Sequence, residues 1–433
     1  MGHMIKYNGL RVFVEHRMDD KMKKILWISP YAPYDKVDHA GGKVHNFYVK
    51  YFHKSGKFDI TLLSLCLKRE ESLLDLEQYG VKNHIFVMDK SKIKKFERRA
   101  KSAWSFINPF DKYAGICLDY ERYHIEKMLM EYIREGNKPD IVIMQWTFSL
   151  AFIEIIRKKF PSCKLIAIEE DVTFLGYERK WKKAESSYQK FFWKTRYEKI
   201  KVLELNWLKK VDLIVTNNPK DTALLVENNI LEKKIFTSMP YFDDYSKVIR
   251  QVKGRDLLFF GAMSRAENYL SAIWFINNVM PKIQELNTRF LIAGSSPPEI
   301  LKEKESESVK ILGYVEDMTE YFSSCVCLVA PLKLGAGIKI KILEAMSAGI
   351  PVLTNEIGIE GIEAIDGKDY ILCSSPEEYA DAIKKILNNY NLGEFLSSNS
   401  KAFIKKKYHM ASRLDELIYI IENELSDKEN YIR

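Results

Sequence analysis

The chain has 433 residues, more than one hydrophobic core usually supports, and its 46% hydrophobic and 29% charged residues exclude a disordered, fibrous or disulfide-stapled protein. No apolar run is long enough to span a membrane; the nearest, 141–156, is broken by Gln145 and Glu154. The net charge of +8 is unevenly divided: residues 1–250 hold 46 Lys+Arg against 33 Asp+Glu and the remainder 21 against 26, so an anionic partner is expected on the first half.

Met1-Gly-His-Met4 reads as a cloning remnant and Met22-Lys-Lys-Ile-Leu-Trp-Ile-Ser29 as a natural start, so 1–21 are set aside as a tag or extension. Apolar runs at 25–29, 59–65, 84–88, 140–144, 164–168 and 212–216 read as strands. Helical patterns at 44–54, 119–134, 148–159 and 186–210 lie between them. Continuous apolar strands separated by helices predict a parallel sheet covered on both faces. After a break at 240–253 the alternation resumes. Strands are expected at 257–260, 289–293, 309–312, 326–330, 351–354 and 370–372, and helices at 268–284, 338–348 and 377–387.

The expected fold class is therefore α/β, with two doubly wound Rossmann-like domains facing across a cleft. Their bounds are 22–245 and 246–410, and 411–433 form a closing helix able to cross back to the first domain. Ligands of such sheets bind beyond the carboxyl ends of the strands, so the loops that follow strands are where chemistry is sought. Six scattered cysteines show no metal or disulfide spacing, which suits a reducing cytosol; Cys325 and Cys327 read as packing residues of a buried strand.

In the first half, the loop after the first strand closes on Gly41 and Gly42 ahead of a helix. It either brings backbone amides to a ligand or simply serves the turn, and it lacks the G-x-G-x-x-G pattern of a nicotinamide site. His39 and His45 read as surface or packing residues. Glu169, Glu170 and Asp171 end another strand; like charges so close are costly unless used, and one could orient or deprotonate an acceptor hydroxyl. The alternative is a solvated edge paired with Arg179 or Lys180. Two basic stretches carry aromatics: seven Lys/Arg between 90 and 101 precede Trp104, Phe106 and Phe110, and 179–196 include Trp181, Phe191 and Trp193. They suit an anionic membrane surface or else a solvated face; nucleic acid fits less well, since no binding module accompanies the charge.

In the second half, strand 257–260 leads to Gly261 and then Arg265, a candidate bidentate clamp for a pyrophosphate. The densest pattern is Pro331-Leu-Lys-Leu-Gly-Ala-Gly-Ile-Lys-Ile-Lys-Ile-Leu-Glu344, read as strand, glycine loop, helix. Glycines allow a tight turn, and the first amides of the helix then favour an anion. Lys339 and Lys341 in a first helical turn oppose the macrodipole, which a bound polyanion would explain. Glu344 shares the face of Lys341 and could accept from paired hydroxyls such as those of a ribose; a solvated ion pair is the bland alternative.

Gly261-x-Met, the Ala293-Gly294-Ser295 turn, Leu312-Gly-Tyr-Val-Glu-Asp-Met318, the Gly335–Glu344 loop and helix with Ala345-Met-Ser-Ala-Gly-Ile-Pro-Val, and Gly358-Ile-Glu-Gly361-Ile together resemble the donor domain of GT-B glycosyltransferases of sequence family 4. The likeness runs over about 256–390; the first half matches more loosely, through Gly41–Gly42, Glu170–Asp171 and the strand ending at Asn217. The resemblance implies a retaining, metal-independent hexosyltransferase with no cofactor, working at the cytoplasmic membrane face. A nucleotide sugar would occupy the second domain and a glycan or lipid-linked acceptor the first.

Carried over residue by residue, Glu344 would hold the ribose, and the Tyr314–Val315 backbone would read the base. Lys339 and Arg265 would neutralise the diphosphate, and Gly41–Gly42 would approach the sugar or phosphates. Gly261, Gly294, Ser295, Gly335, Ala336, Gly337, Ile338 and Lys341 complete the donor set, while Glu170 and Asp171 stand on the acceptor side. Two departures stand out. Ala336 replaces a glutamate common eight positions before the one at 344. The usual lysine after Gly261 is missing, with Glu267 and Asn268 nearby, so that Lys339 or Lys341 would substitute. A sugar-nucleotide epimerase on the same scaffold and a noncatalytic membrane-docked subunit are the rival readings.

Overall fold

A computed structural model of the chain describes residues 3–7, 10–14, 22–37, 40–88, 113, 116–334 and 338–424. The chain divides into two compact units. Unit 1 comprises Met1–Thr216, Asn228–Phe236 and Ile420–Arg433; unit 2 comprises Asn217–Glu227 and Thr237–Tyr419. The division falls near 237, earlier than the 245 expected from the break in rhythm.

Unit 1 opens with an antiparallel pair, β1 (His3–Tyr7) and β2 (Leu10–Val14), inside the stretch set aside as an extension. Its main sheet has seven strands: β3 (Lys23–Ser29), β4 (Phe58–Leu67), β5 (Lys82–Met88), β6 (Ile141–Gln145), β7 (Lys164–Glu169), β8 (Leu213–Thr216) and β9 (Ile235–Thr237). Their order is β5-β4-β3-β6-β7-β8-β9, and the pairings from β5 through β8 are all parallel. The chain first winds outward from β3 to β5 and then restarts on the other side of β3 with β6, which makes the β3/β6 boundary the switch point of the sheet.

Helices α1 (Ala40–Lys54) and α2 (Asp119–Arg134) pack on this sheet. Helices α3 (Thr173–Lys183) and α4 (Ser187–Leu208) pack on one another. Buried Trp27, Tyr48, Phe52 and Phe58 fill the core beneath α1. The pair α3–α4 is tied at its start by Glu204, a fully buried carboxylate of α4 that accepts from the amides of Thr173 and Phe174, each at 2.8 Å. Two orphan donors of the α3 N-terminus are satisfied in this way by a neighbouring helix, since Val172 in the capping position has no side-chain acceptor to offer.

Unit 2 holds a six-stranded sheet of order β12-β11-β10-β13-β14-β15, every pairing parallel: β10 (Asp256–Phe260), β11 (Arg289–Ala293), β12 (Val309–Gly313), β13 (Cys327–Ala330), β14 (Val352–Thr354) and β15 (Ile371–Leu372). Helices α5 (Pro219–Glu227), α6 (Ala266–Asn278), α7 (Ile340–Ala348), α8 (Pro376–Asn388), α9 (Tyr390–Lys407) and α10 (Met410–Tyr419) belong to this unit. The switch point here lies between β10 and β13. All six cysteines are free and buried, so Cys325 and Cys327 take the packing role expected of them. The closing segment splits. α10 stays with unit 2, whereas Ile420–Glu424 joins unit 1, where Glu422 pairs with Lys57 at 2.5 Å. Among the described residues no helix is long and apolar enough to cross a membrane.

Candidate functional site

Three glycines end three neighbouring strands of unit 2. Gly261 follows β10 with φ +148°, Gly294 follows β11 with φ +153°, and Gly313 closes β12 with φ +68°. The ladder continues through them, with Gly261 donating to the Ala293 carbonyl at 3.0 Å and Gly294 to the Gly313 carbonyl at 2.6 Å. A Cβ on Gly294 would lie 1.7 Å from the Gly261 oxygen, so the two backbones touch where any other residue would force them apart. The result is a shelf of bare backbone at the carboxyl ends of the strands, the edge where open parallel sheets bind ligands.

Lys341 sits on this shelf. Its ammonium donates to Asn268 Oδ1 at 2.5 Å, lies 4.5 Å from the Phe259 ring centroid, and would stand 2.8 Å from a Cβ on Gly261. The absence of a side chain at 261 is what leaves it room. Asn268 is itself anchored, its Nδ2 donating to the Ala262 carbonyl at 2.8 Å. Surrounding protein lowers the pKa of Lys341 to about 7, desolvation outweighing the opposing pull of Glu267 and Glu344. One turn on, Glu344 Oε1 lies 3.5 Å from the Asp243 amide, and Ser347 accepts from the Tyr245 amide at 3.0 Å. Tyr245, held close to that carboxylate, has its pKa raised by burial and by Glu344.

Helix α7 begins at Ile340, two residues later than expected. Lys339 is its capping residue with φ −93° and ψ 100°, and so lies outside the first turn. Its ammonium is 3.5 Å from Glu360, a carboxylate shared with Lys220 at 3.4 Å. Burial lowers the Lys339 pKa. In Glu360, the two lysines outweigh the effect of burial and lower the pKa. Ile338 is half-buried, its Cγ1 3.0 Å from where a Cβ on Gly361 would sit. Gly335, Ala336 and Gly337 lie outside the described residues. The loop that leads to them is pinned by Asn355, whose Nδ2 donates to the Leu332 carbonyl at 2.7 Å.

Arg265, the expected pyrophosphate clamp, faces solvent. It is 70% exposed at the start of α6, with Glu267 at 3.8 Å. Ser295 and Val315 are half-buried, and Tyr314, 75% exposed, offers its ring to solvent beside Gly313. Asn268 is the site residue least visible in sequence, because its reach to Lys341 across 73 positions has no local signature.

In unit 1 the glycine pair lies inside the first turn of α1, not ahead of it. Gly41 faces the Trp146 ring, and a Cβ there would be 3.3 Å from the indole and 3.5 Å from Glu170 Cγ. His45 is buried between the rings of Trp27 and Trp146, a packing role; His39 lies outside the described residues. The three carboxylates that end β7 do not share one site. Glu169 is buried and accepts from Thr147 at 2.6 Å, Glu170 accepts from Gln145 at 2.5 Å, and Asp171 is exposed. A further cavity of about 420 Å³, lined by residues including Lys24, Asp59 and Lys82, opens at the amino-terminal ends of β3 to β5, the edge opposite the one used for ligands.

Of the two basic stretches, 90–110 lies outside the described residues. The other forms α3 and the start of α4. Lys180 lies 4.7 Å from the Tyr177 ring and 5.0 Å from that of Trp193, and Trp181 stacks on Tyr197, while Tyr188 and Phe191 stand 73% and 72% exposed.

Residues 254–389 match the family described as Glycosyl transferases group 1. An uncharacterized glycosyltransferase of Methanocaldococcus jannaschii is 24% identical over 228 residues, 49% of this chain and 57% of that protein. The chain spans about half the length of the curated relatives it matches. Among solved structures, Alr3699/HepE of Anabaena in complex with UDP and glucose superposes with TM-score 0.59 at 12% identity, covering 92% of this chain and 99% of that one. WaaG, a glycosyltransferase involved in lipopolysaccharide biosynthesis, superposes with TM-score 0.61 at 14% identity, covering 92% and 100%. At these identities the structural likeness establishes the fold.

Proposed function

We propose, from the premise that this chain has the GT-B fold and carries a glycosyl transferases group 1 region at 254–389, that it moves a hexose from a nucleoside-diphosphate sugar to a glycan or lipid-linked acceptor in cell-surface glycoconjugate synthesis. The observation that carries this reading is Lys341, an ammonium held by Asn268 over strand-end glycines where a diphosphate can approach bare backbone. Lys341 takes the charge neutralisation that a lysine after Gly261 would otherwise supply. Lys339 and the α7 amides assist, and Arg265 swings in from solvent. Glu344 accepts from the ribose hydroxyls, and the Tyr314–Val315 backbone meets the base.

In the reaction, the bond between the anomeric carbon and the phosphate oxygen breaks while the acceptor oxygen forms its bond to that carbon. Negative charge gathers on the departing diphosphate, where Lys341, Lys339 and the helix start stabilise it; preorganised charge of this kind is commonly the largest catalytic contribution. The acceptor proton passes to a leaving-group oxygen, which allows retention of configuration without a protein base or a metal. Glu344→Ala and Lys339→Ala test the assignment. Removing the ribose acceptor is expected to weaken UDP-glucose binding about tenfold, and removing Lys339 to slow turnover by a similar factor. Unchanged UDP-glucose turnover in both variants would refute it.

The enzyme works on the cytoplasmic face of an anionic membrane, docked through α3 and the start of α4. Tyr188 and Phe191 enter the interface, and Lys182, Lys183, Lys190 and Lys194 meet the headgroups. Co-sedimentation with phosphatidylglycerol vesicles should fall by about tenfold or more in the Tyr188→Ser, Phe191→Ser double variant, since each ring contributes roughly 1.5–3 kcal/mol on burial. Equal capture of both proteins, or equal capture of the wild type by neutral vesicles, would contradict it.

A further inference from the structure

Where β3 and β6 part company, unit 1 presents an aromatic corner. β3 ends at Ser29 and is followed by the exposed Tyr31; β6 ends at Gln145 and is followed by the half-buried Trp146. The two rings meet edge to face, centroids 5.2 Å apart and planes at 86°. Trp146 also abuts His45 at 5.3 Å and 81°, which fixes the indole from beneath. Gly41, in the first turn of α1, leaves the indole its space. From β7, Glu170 comes within reach of the same corner, its carboxylate oriented by Gln145.

The backbone at Trp146 has φ +62°. A bulky side chain in the left-handed region costs roughly 1–2 kcal/mol and persists only where the surroundings impose it; such positions cluster at ligand sites. Glycine or asparagine would turn the chain here at lower cost. The strain instead aims a large flat ring at the carboxyl edge of the sheet, at its switch point.

We propose that Trp146, Tyr31 and Glu170 form a pyranose subsite in unit 1, which takes the C–H face of an acceptor sugar against the indole and its hydroxyls on the Glu170 carboxylate. This rests on reading the chain as a glycosyltransferase whose acceptor lies on unit 1. The chemistry fits a pyranose better than a second nucleotide: the corner offers ring surface and a carboxylate acceptor, and a carboxylate repels phosphate. Glu170 therefore binds and orients, and the role of base assigned to it from sequence passes to the leaving group.

The test uses saturation-transfer NMR on the full chain with methyl glucoside, methyl galactoside, methyl mannoside and methyl N-acetylglucosaminide, alongside calorimetry with UDP. At least one pyranoside is expected to receive saturation mainly on protons of one ring face. Trp146→Leu should weaken that binding about tenfold and Tyr31→Ala severalfold, as lost aromatic contact implies. UDP affinity should stay at the wild-type value in both variants, which also reports that they fold. Absence of transfer to every pyranoside in the wild type, or equal transfer in the wild type and both variants, would overturn the proposal. Failure of the donor reading looks different: UDP fails to bind while the pyranoside effects remain.

Discussion

Replacing Lys341 with methionine should weaken UDP-glucose binding about a hundredfold, some 3 kcal/mol, the loss typical of removing one partner from an enclosed charged contact. The free protein should become no less stable, because Met fills similar volume without the cost of enclosing an ammonium. That opposition separates a binding role from a structural one. A lysine that merely braced α7 against α6 would reduce stability and leave affinity alone.

The same residue fixes a pH dependence. Its pKa in the folded protein is lowered from 10.5 to about 7. Between those values the unfolded chain holds a proton that the folded protein lacks, so this group makes stability rise with pH across that window and penalises folding below it. The donor diphosphate prefers the protonated form. UDP-glucose affinity should therefore be flat below about pH 7 and weaken by up to about tenfold per pH unit above it, with proton uptake on binding. UDP-glucose suits the measurement because its diphosphate does not titrate in this range. Calorimetry in buffers of different ionisation enthalpy reads the uptake directly, and Lys341→Met should abolish both effects.

Gly294→Ala is expected to be the most damaging single methyl group in unit 2. Its Cβ would fall 1.7 Å from the Gly261 oxygen and 2.8 Å from the Gly261 carbonyl carbon, both backbone atoms that cannot rotate away. The φ of +153° adds strain for any side chain. β10 and β11 would have to separate at the shelf, and a cost of about 4 kcal/mol or more is expected, in the range reserved for core disruption. Gly313→Ala is the control: its φ is +68°, but nothing lies within 4 Å of the added carbon, so only about 1 kcal/mol should be lost. Denaturant midpoints of the two variants give the comparison. Similar midpoints would mean that the strand ends are looser than described.

The sheets were legible because parallel strands are covered on both faces, and β10, β11 and β13 accordingly appear as uninterrupted apolar runs. β9, three residues long, carries too little pattern to be seen. The start of α7 was misplaced because Ile338 and Lys339 have ordinary helix propensity; it is the extended backbone of Lys339, ψ 100°, that delays the helix. Glycines 261, 294 and 313 could be picked out as strand-end turns, whereas their mutual contact could not, since it is set by strand order.

Charges misled in both directions. Lys341 stands out in sequence for opposing the macrodipole, but its enclosure does not: the empty space at Gly261 that lets it turn inward is set by tertiary packing. Glu169, Glu170 and Asp171 look like one acidic cluster, yet strand alternation and the turn after β7 send them to different surroundings. Trp146 gave no warning at all: a tryptophan after an apolar run predicts a longer strand or a helix start, and neither suggests a left-handed backbone.

A crystal structure of the UDP complex should show the diphosphate on the glycine shelf of unit 2 under Lys341, with a phosphate oxygen within hydrogen-bond distance of Lys341 Nζ and the ribose hydroxyls on Glu344. UDP bound away from Gly261 and Gly294, or Lys341 still directed only at Asn268 with the nucleotide in place, would contradict it.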